Sequence, residues 1–402
     1  MILPLKCVDK KIRTYTKVYD RIFWYVYIHR PINLVSRFTE YFTFVRLCDI
    51  LNLYIQKGAD IYLNNEVIYI ENNSGEKYSS LKIDCLKLGV MLILYRLFIS
   101  MMSILGVIVT CRVLSGEFHS YNNAVDLLKS DYADKISTST YSMLMNTALT
   151  TSSLILTLLF GWIVLGFSFR GYLKPSVNGA KTGLRYFPAC FVMNIVMSAI
   201  VAIFVNFMDQ AGVTIPEADF SIDKPSTAAV ALQFLYIAIM APLIEEIVYR
   251  GMILSALSKY GEFPAIFFSA LCFGLMHGNI PQAVAAFGTG LMYACIAVSC
   301  NSIMPSLVIH SLNNIVVSFS TLGKAMGFAY TSTVSSIMQI LAAVIGFYVL
   351  LTRASAFSTA DGQTSREKKK VMITIFTRPA VILYLVILII RIADGLIESN
   401  AA

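Results

Sequence analysis

The sequence has few charged residues for its length. Only 14% of its 402 residues are Asp, Glu, Lys or Arg, whereas 57% are hydrophobic. Soluble globular domains carry about 25% charged residues, so this composition excludes an ordinary soluble protein and indicates a membrane protein. The alternating pattern of a membrane β-barrel is also missing, so we expect the spans to be helical.

Cysteine and histidine motifs are also lacking. The eight cysteines contain no CxxC pair and no HExxH sequence is present, which argues against a disulfide framework and the common zinc sites. The N-terminal segment has no apolar stretch typical of a cleavable signal peptide. The net charge of +8 is spread over loops. It therefore fits anionic lipid headgroups, and we predict no nucleic-acid partner.

Apolar segments recur along most of the chain, and most of them have the roughly 20 residues that a helix needs to cross a bilayer. We predict an all-α polytopic membrane protein with about 8–9 transmembrane helices and a small soluble N-terminal region. In the sixth segment, Ala286, Gly290 and Ala294 form a stripe of small residues that favours close helix packing. The predicted spans are residues 88–111, 143–167, 186–208, 226–258, 264–277, 283–299, 303–322, 331–351 and 379–396.

Composition divides the chain into four regions. Residues 1–86 form a basic cytoplasmic region, in which the alternation from Ile61 to Ile83 predicts a small β-meander. Residues 87–180 contain the first two spans and their loops. Residues 181–352 form the core with the polar side chains, and residues 353–402 contain a basic cytoplasmic loop and the last span.

Loop charges predict the orientation in the membrane. Residues 170–185 contain four bases and no acid, whereas the loop at 209–223 is acidic. By the positive-inside rule the basic loop is cytoplasmic, and the N-terminus is therefore cytoplasmic too. We expect a multi-pass protein of the cell membrane, with a bacterial plasma membrane as our hypothesis.

Two carboxylates and a guanidinium lie at the end of an apolar run: Glu245, Glu246 and Arg250. A charge inside a bilayer costs several kcal/mol unless it is paired or faces a polar cavity. Residues i and i+4 share a helix face, so Glu246 and Arg250 can form a structural ion pair, whereas Glu245 points about 100° away. Glu245 thus has no local cation to pair with, so it is the candidate general base. Pro242 lacks an N–H, so we predict a kink before the pair and a freed carbonyl at Ala238.

Three more polar side chains come from two other spans. If spans four and five form a hairpin about Gly261, Glu245 and His277 both lie on the order of 20 Å from the turn and can face each other. His310 and Asn314 share a face of span seven at a similar depth. A carboxylate and an imidazole can deprotonate a water, and an imidazole and an amide can stabilise an oxyanion. This combination favours acyl hydrolysis without a covalent nucleophile.

Three motifs in this order resemble those of a known family. EEIVYR at 245–250, FGLMH at 273–277 and HSLNN at 310–314 are similar to the EExxxR, FxxxH and HxxxN motifs of the CPBP family. That family comprises type II CAAX prenyl endopeptidases and bacteriocin-processing or self-immunity proteins, also called Abi. The resemblance covers about residues 186–322.

The resemblance implies a metal-independent, glutamate-type intramembrane endopeptidase that needs no cofactor and acts on a peptide or membrane-protein substrate. It implies that Glu245 and His277 activate the attacking water and that His310 and Asn314 form the oxyanion hole. It also implies that Glu246, Arg250 and Phe273 hold the helix or position the substrate. The oligomeric state is left open.

Three other functions compete with this hypothesis. Two histidines and a carboxylate are a possible ligand set, so a metal-dependent intramembrane protease is the first. The second is a catalytically idle membrane scaffold or regulator, such as a bacteriocin self-immunity protein, and the third is a transporter that relays protons. A single buried histidine in a membrane helix more often makes only an interhelical hydrogen bond. The assignment therefore depends on the three motifs occurring together.

Overall fold

The computed structural model describes residues 73–132, 135, 139–166, 176–218, 227–357 and 362–401. Over these residues the protein contains helices and no strand. The first six helices are α1 (Asn73–Ser115), α2 (Tyr121–Ser130), α3 (Ser139–Ile163), α4 (Val177–Tyr186), α5 (Ala189–Gln210) and α6 (Thr227–Tyr260). The next six are α7 (Glu262–Leu275), α8 (Ile280–Cys300), α9 (Met304–Ala325), α10 (Thr331–Arg353), α11 (Ser365–Phe376) and α12 (Pro379–Ala401).

The predicted all-α membrane fold is confirmed. Within the described residues, 7 helices are long and apolar enough to cross a membrane: α1, α3, α5, α6, α8, α10 and α12. Helix α7 is apolar but has only 14 residues, and α9 carries several polar side chains. Each predicted span overlaps one helix, but α7 and α9 are not among these 7, so the described residues contain fewer candidate spans than the predicted 8–9.

The predicted β-meander is wrong over residues 73–83, which are helical; residues 61–72 lie outside the described part of the chain. Leu81, Cys85 and Leu88 are all fully buried, and their spacing of four and three residues places them on one face of a helix. Helix α1 therefore begins well before the predicted first span and crosses the predicted boundary at residue 86. The short alternation of apolar residues did not outweigh this helical stripe.

Helix α11 occupies a segment that was predicted to be a loop. It begins with a capping box, in which the Thr364 hydroxyl accepts from the backbone N–H of Glu367 and the Glu367 carboxylate accepts from the backbone N–H of Thr364. Such a box satisfies two donors at a helix start. Val371, Thr374 and Ile375 form its buried face. The capping-box pattern of Thr364 and Glu367 is visible in the sequence, but the run of basic residues after it led to the prediction of a loop.

Helices α6 and α7 form the predicted hairpin about Gly261. The Ser269 hydroxyl of α7 donates a hydrogen bond of 2.7 Å to the carbonyl of Tyr249 on α6. At the turn, Asp84 of α1 accepts from the Tyr260 hydroxyl at 2.8 Å and pairs with Lys259 at 2.7 Å. These contacts fix the end of α6 against α1, which lies outside the motif-bearing core.

Helices α7 and α8 form a second hairpin, which is closely packed. At Gly274 of α7, an added Cβ would lie 2.5 Å from the carbonyl oxygen of Ala283 and 3.0 Å from the Cβ of Phe287. Contacts this short leave no room for a side chain. The packing therefore places the end of α7, including His277, directly against the start of α8.

We expect Gly274→Ala to destabilise the protein, because one of the two helices must move to admit the methyl group. Overpacking of this kind typically costs about 1–3 kcal/mol. The thermal midpoint of the purified protein in detergent should fall below that of the wild type.

Gly395→Ala in α12 is the matched control. Its added Cβ would meet only the carbonyl oxygen of Gly278, at 3.8 Å, and alanine is favoured over glycine in a helix by about 0.5–1 kcal/mol. Its midpoint should stay equal or rise. Equal midpoints for the two variants would contradict the close packing at Gly274.

Candidate active site

A fully buried ion pair lies at the centre of the site. The Arg250 Nη1 donates to Glu246 Oε1 at 3.0 Å, and both side chains have 0% exposure. The Arg250 Nη2 donates to the carbonyl of Gly290 on α8 at 3.1 Å. The guanidinium also lies over the rings of Phe273 and Tyr293, at 4.5 and 5.4 Å from their centroids. The predicted pair is therefore present, with cation–π contacts on the arginine.

The imidazole of His310 lies between two carboxylates. Its Nδ1 is 3.0 Å from Glu246 Oε1, and its Nε2 is 3.5 Å from Glu245 Oε2. A carboxylate oxygen accepts, so Nδ1 carries the hydrogen. The sequence predicted that Glu245 points about 100° away from Glu246, yet both carboxylates contact the same imidazole. Adjacent carboxylates on a helix diverge, but the two nitrogens of one imidazole lie on different ring edges and reach both.

The neighbouring glutamates differ in exposure. The Glu245 side chain is 17% exposed, whereas that of Glu246 is 0% exposed. Glu246 Oε1 accepts hydrogen bonds from both Arg250 and His310. Its charge is therefore compensated by protein groups, while Glu245 retains access to the space outside the packed core.

Two π-helical segments flank the carboxylates. Residues Tyr236–Met240 precede the short α-helical stretch Ala241–Glu246, and Ile247–Leu254 follows it. The first of these segments lies where the kink before the glutamates is predicted, and π-bulges are a common cause of kinks. The carbonyl taken up by another helix is that of Ile237, five residues before Pro242, and not the predicted one of Ala238. It accepts from Asn314 Nδ2 at 3.0 Å.

His277 is held at the end of α7 by its own helix. Its Nδ1 lies 2.9 Å from the carbonyl oxygen of Phe273 and 3.3 Å from that of Gly274. Carbonyl oxygens only accept, so Nδ1 is the protonated nitrogen and Nε2 carries the lone pair of a neutral ring. No direct ion pair joins His277 to Glu245 in the described part of the chain.

The ring of Phe273 connects the motif residues. Its centroid lies 5.3 Å from that of His277 and 5.4 Å from that of His310, in edge-on geometry with both. Phe273 is only 2% exposed. The structure therefore brings side chains of all three motifs together, with His277 joined to the others through this ring.

Sequence reasoning missed several contributors. Tyr293 of α8 stacks on His310, with ring centroids 5.1 Å apart, and no pattern in the sequence pointed to it. Gly290 was noted only as a small residue, yet its carbonyl binds Arg250 and its missing side chain makes room for Phe273. Asn313 of α9 accepts a hydrogen bond of 2.6 Å from Asn194 of α5.

Among the described residues, no group of three or more His, Cys, Asp or Glu side chains has the arrangement of a metal site. This finding concerns the placement of side chains only. The metal-independent reaction therefore stays a prediction.

Comparison with known proteins identifies the segment that carries these side chains. Residues 227–316 match the family model described as Type II CAAX prenyl endopeptidase Rce1-like. The resemblance of the three motifs to the CPBP family is confirmed by this match, which includes every motif residue. It supports an intramembrane CAAX-type endopeptidase in a multi-pass membrane protein. Neither the curated proteins nor the solved structures gave a match.

We expect Arg250→Ala to lower the thermal midpoint strongly, because Glu246 would be left as a buried carboxylate without its cation. Removing one partner of a buried pair costs about 3–5 kcal/mol. The thermal midpoint of Arg250→Lys should lie between those of the wild type and Arg250→Ala, since lysine keeps the charge but cannot reach Glu246 and Gly290 with a planar fork. Thermal unfolding in detergent measures both.

Lys259→Ala is the control, because it breaks an ion pair of similar length that is exposed. The Lys259 side chain is 60% exposed, and such pairs contribute about 0–1 kcal/mol. If Arg250→Ala lowers the thermal midpoint no more than Lys259→Ala does, the buried pair does not stabilise the fold.

Proposed function

We propose, from the match of residues 227–316 to the CAAX endopeptidases of the CPBP family, that this protein hydrolyses peptide bonds at the site around His310. The observation that carries the proposal is the convergence of the three motifs on one cluster. Its structural half, Glu246 and Arg250, is fully buried, while Glu245 and His277 are partly exposed. This separation suits a site in which one half holds the geometry and the other meets water and substrate.

Glu245 and His277 would activate the water. The His277 Nε2 can accept a hydrogen bond from it, because Nδ1 is committed to the carbonyl of Phe273. Glu245 would take a proton as the water oxygen attacks the carbonyl carbon. The same proton would pass to the amide nitrogen as the C–N bond breaks, leaving a carboxylic acid and an amine. No covalent enzyme intermediate is needed.

His310 and Asn314 would stabilise the oxyanion. The Nδ1–H of His310 is donated to Glu246, so only the doubly protonated ring also offers an N–H at Nε2. In that state the Nε2–H, which lies on the side of Glu245, would donate to an oxyanion bound in front of it. The Asn314 amide has two hydrogens, of which one is donated to Ile237. The other would be the second donor.

The substrate proposed first is a peptide or membrane protein with a C-terminal CAAX sequence, since the matching model is described by that activity. We further propose that the protein lies in the cell membrane with a cytoplasmic N-terminus, as the loop charges predict. A substrate of this class would then meet the site from the cytoplasmic side.

We expect Glu245→Gln and His277→Ala each to lower the cleavage rate by about 10²–10⁴-fold, the usual contribution of general acid–base groups. The assay uses purified protein in vesicles with CAAX reporter peptides, with and without an S-farnesyl group. Glu398→Gln, at an exposed position of α12, and His119→Ala, in a loop, are the matched controls and should cleave like the wild type.

Chelation forms a second arm of this experiment. Activity that persists in EDTA and 1,10-phenanthroline supports the glutamate mechanism, whereas loss that is restored by zinc supports the metal-dependent alternative. A folded wild-type protein that cuts neither peptide, or site variants that cut as fast as the controls, would refute the proposed reaction and favour a scaffold or regulator.

A further inference from the structure

Asn314 contacts the backbone of α6 at a carbonyl that α6 itself does not satisfy. Its Nδ2 donates 3.0 Å to the oxygen of Ile237, within the π-helical segment Tyr236–Met240. The contact joins residues far apart in the sequence, on helices α9 and α6. It is distinct from the contacts that bring His310 to the two glutamates.

The hydrogen-bond pattern of α6 shows why this carbonyl is free. In an α-helix the oxygen of Ile237 would accept from the N–H of Ala241, but that N–H is donated to Tyr236 one residue earlier, as in a π-helix. If the π-helical pattern continued, the donor would be the N–H of residue 242. Residue 242 is Pro242, which has none. Neither pattern therefore provides a donor for Ile237.

A free backbone carbonyl is costly in a membrane helix, because lipid offers no hydrogen-bond donor. Neighbouring helices commonly supply the missing partner where a proline interrupts a spanning helix. Here the Asn314 amide of α9 is that partner, because it donates to the Ile237 carbonyl. Its hydrogen replaces the N–H that the proline ring lacks.

We infer that Asn314 is a positioning residue for Glu245, in addition to the oxyanion role proposed above. His310 and Asn314 are four residues apart, on one face of α9. His310 contacts the glutamates at the end of the stretch Ala241–Glu246, and Asn314 contacts the backbone just before its start. Helix α9 thus holds this stretch on both sides of Pro242.

The inference rests on the proposed function only for its effect on cleavage, since the structural part has its own readout. The experiment compares wild type, Asn314→Ala, Pro242→Ala and the double variant in a double-mutant cycle. Pro242→Ala restores the N–H that can bond to Ile237. Thermal midpoints in detergent and kcat and KM for the CAAX reporter peptide are measured for all four.

We expect Asn314→Ala to lower the midpoint by about 2–4 °C in the wild-type background and by much less in the Pro242→Ala background. The loss of kcat should likewise be smaller in the second background, with KM little changed. The loss of kcat that remains in the Pro242→Ala background would be the part due to oxyanion binding by Asn314.

Asn313→Ala is the matched control, because it removes the same amide from the neighbouring position on α9. Asn313 bonds to Asn194 and not to α6. Its effect on the midpoint should be the same in both backgrounds.

An equal loss of midpoint for Asn314→Ala in both backgrounds would overturn the inference. A midpoint loss that Pro242→Ala rescues, with an unrescued loss of kcat, would overturn the positioning of Glu245. If no variant cleaves any peptide, the proposed function fails, but the midpoints still decide whether Asn314 replaces the N–H of Pro242.

Discussion

A carboxylate and a guanidinium buried together constrain everything around them. Charges removed from water must be paired and hydrogen-bonded, or the fold loses several kcal/mol. Three other helices meet most of this demand for Glu246 and Arg250, although Glu246 Oε2 and Arg250 Nε are buried without a hydrogen-bond partner among the described residues. Helix α8 contributes the carbonyl of Gly290, α9 contributes His310, and α7 contributes the ring of Phe273. The pair therefore fixes how four helices meet, and the side chains proposed for catalysis belong to the same helices.

Local rules were enough to predict the long apolar helices and the buried pair, but not α11 or the start of α1. Span length follows from bilayer thickness, and the i, i+4 spacing of Glu246 and Arg250 decides their contact without any knowledge of the fold. The hairpin about Gly261 was also predictable, because a polar turn separates two apolar segments. In the N-terminal part of α1 the helical spacing of buried Leu81, Cys85 and Leu88 was a better guide than the alternation.

Contacts between distant segments were not predictable in this way. The position of His310 between two carboxylates depends on how α9 lies against α6, and the stacking of Tyr293 depends on α8. The π-helical segment Tyr236–Met240 is part of the same packing, since its Ile237 carbonyl accepts from Asn314 of α9. Pro242 could indicate a disturbance of the helix, but not that the partner would be Asn314.

The same arrangement explains how adjacent glutamates can differ in role. Glu246 accepts hydrogen bonds from Arg250 and His310 on one oxygen, and both donors are themselves buried, so its position is fixed. Glu245, one residue earlier, is turned toward the more exposed side and meets His310 at its other nitrogen. A reacting carboxylate needs water and substrate nearby, yet it must be held within a fraction of an ångström of its working position. Placing it next to a fully buried partner provides rigidity without enclosing the reacting group itself.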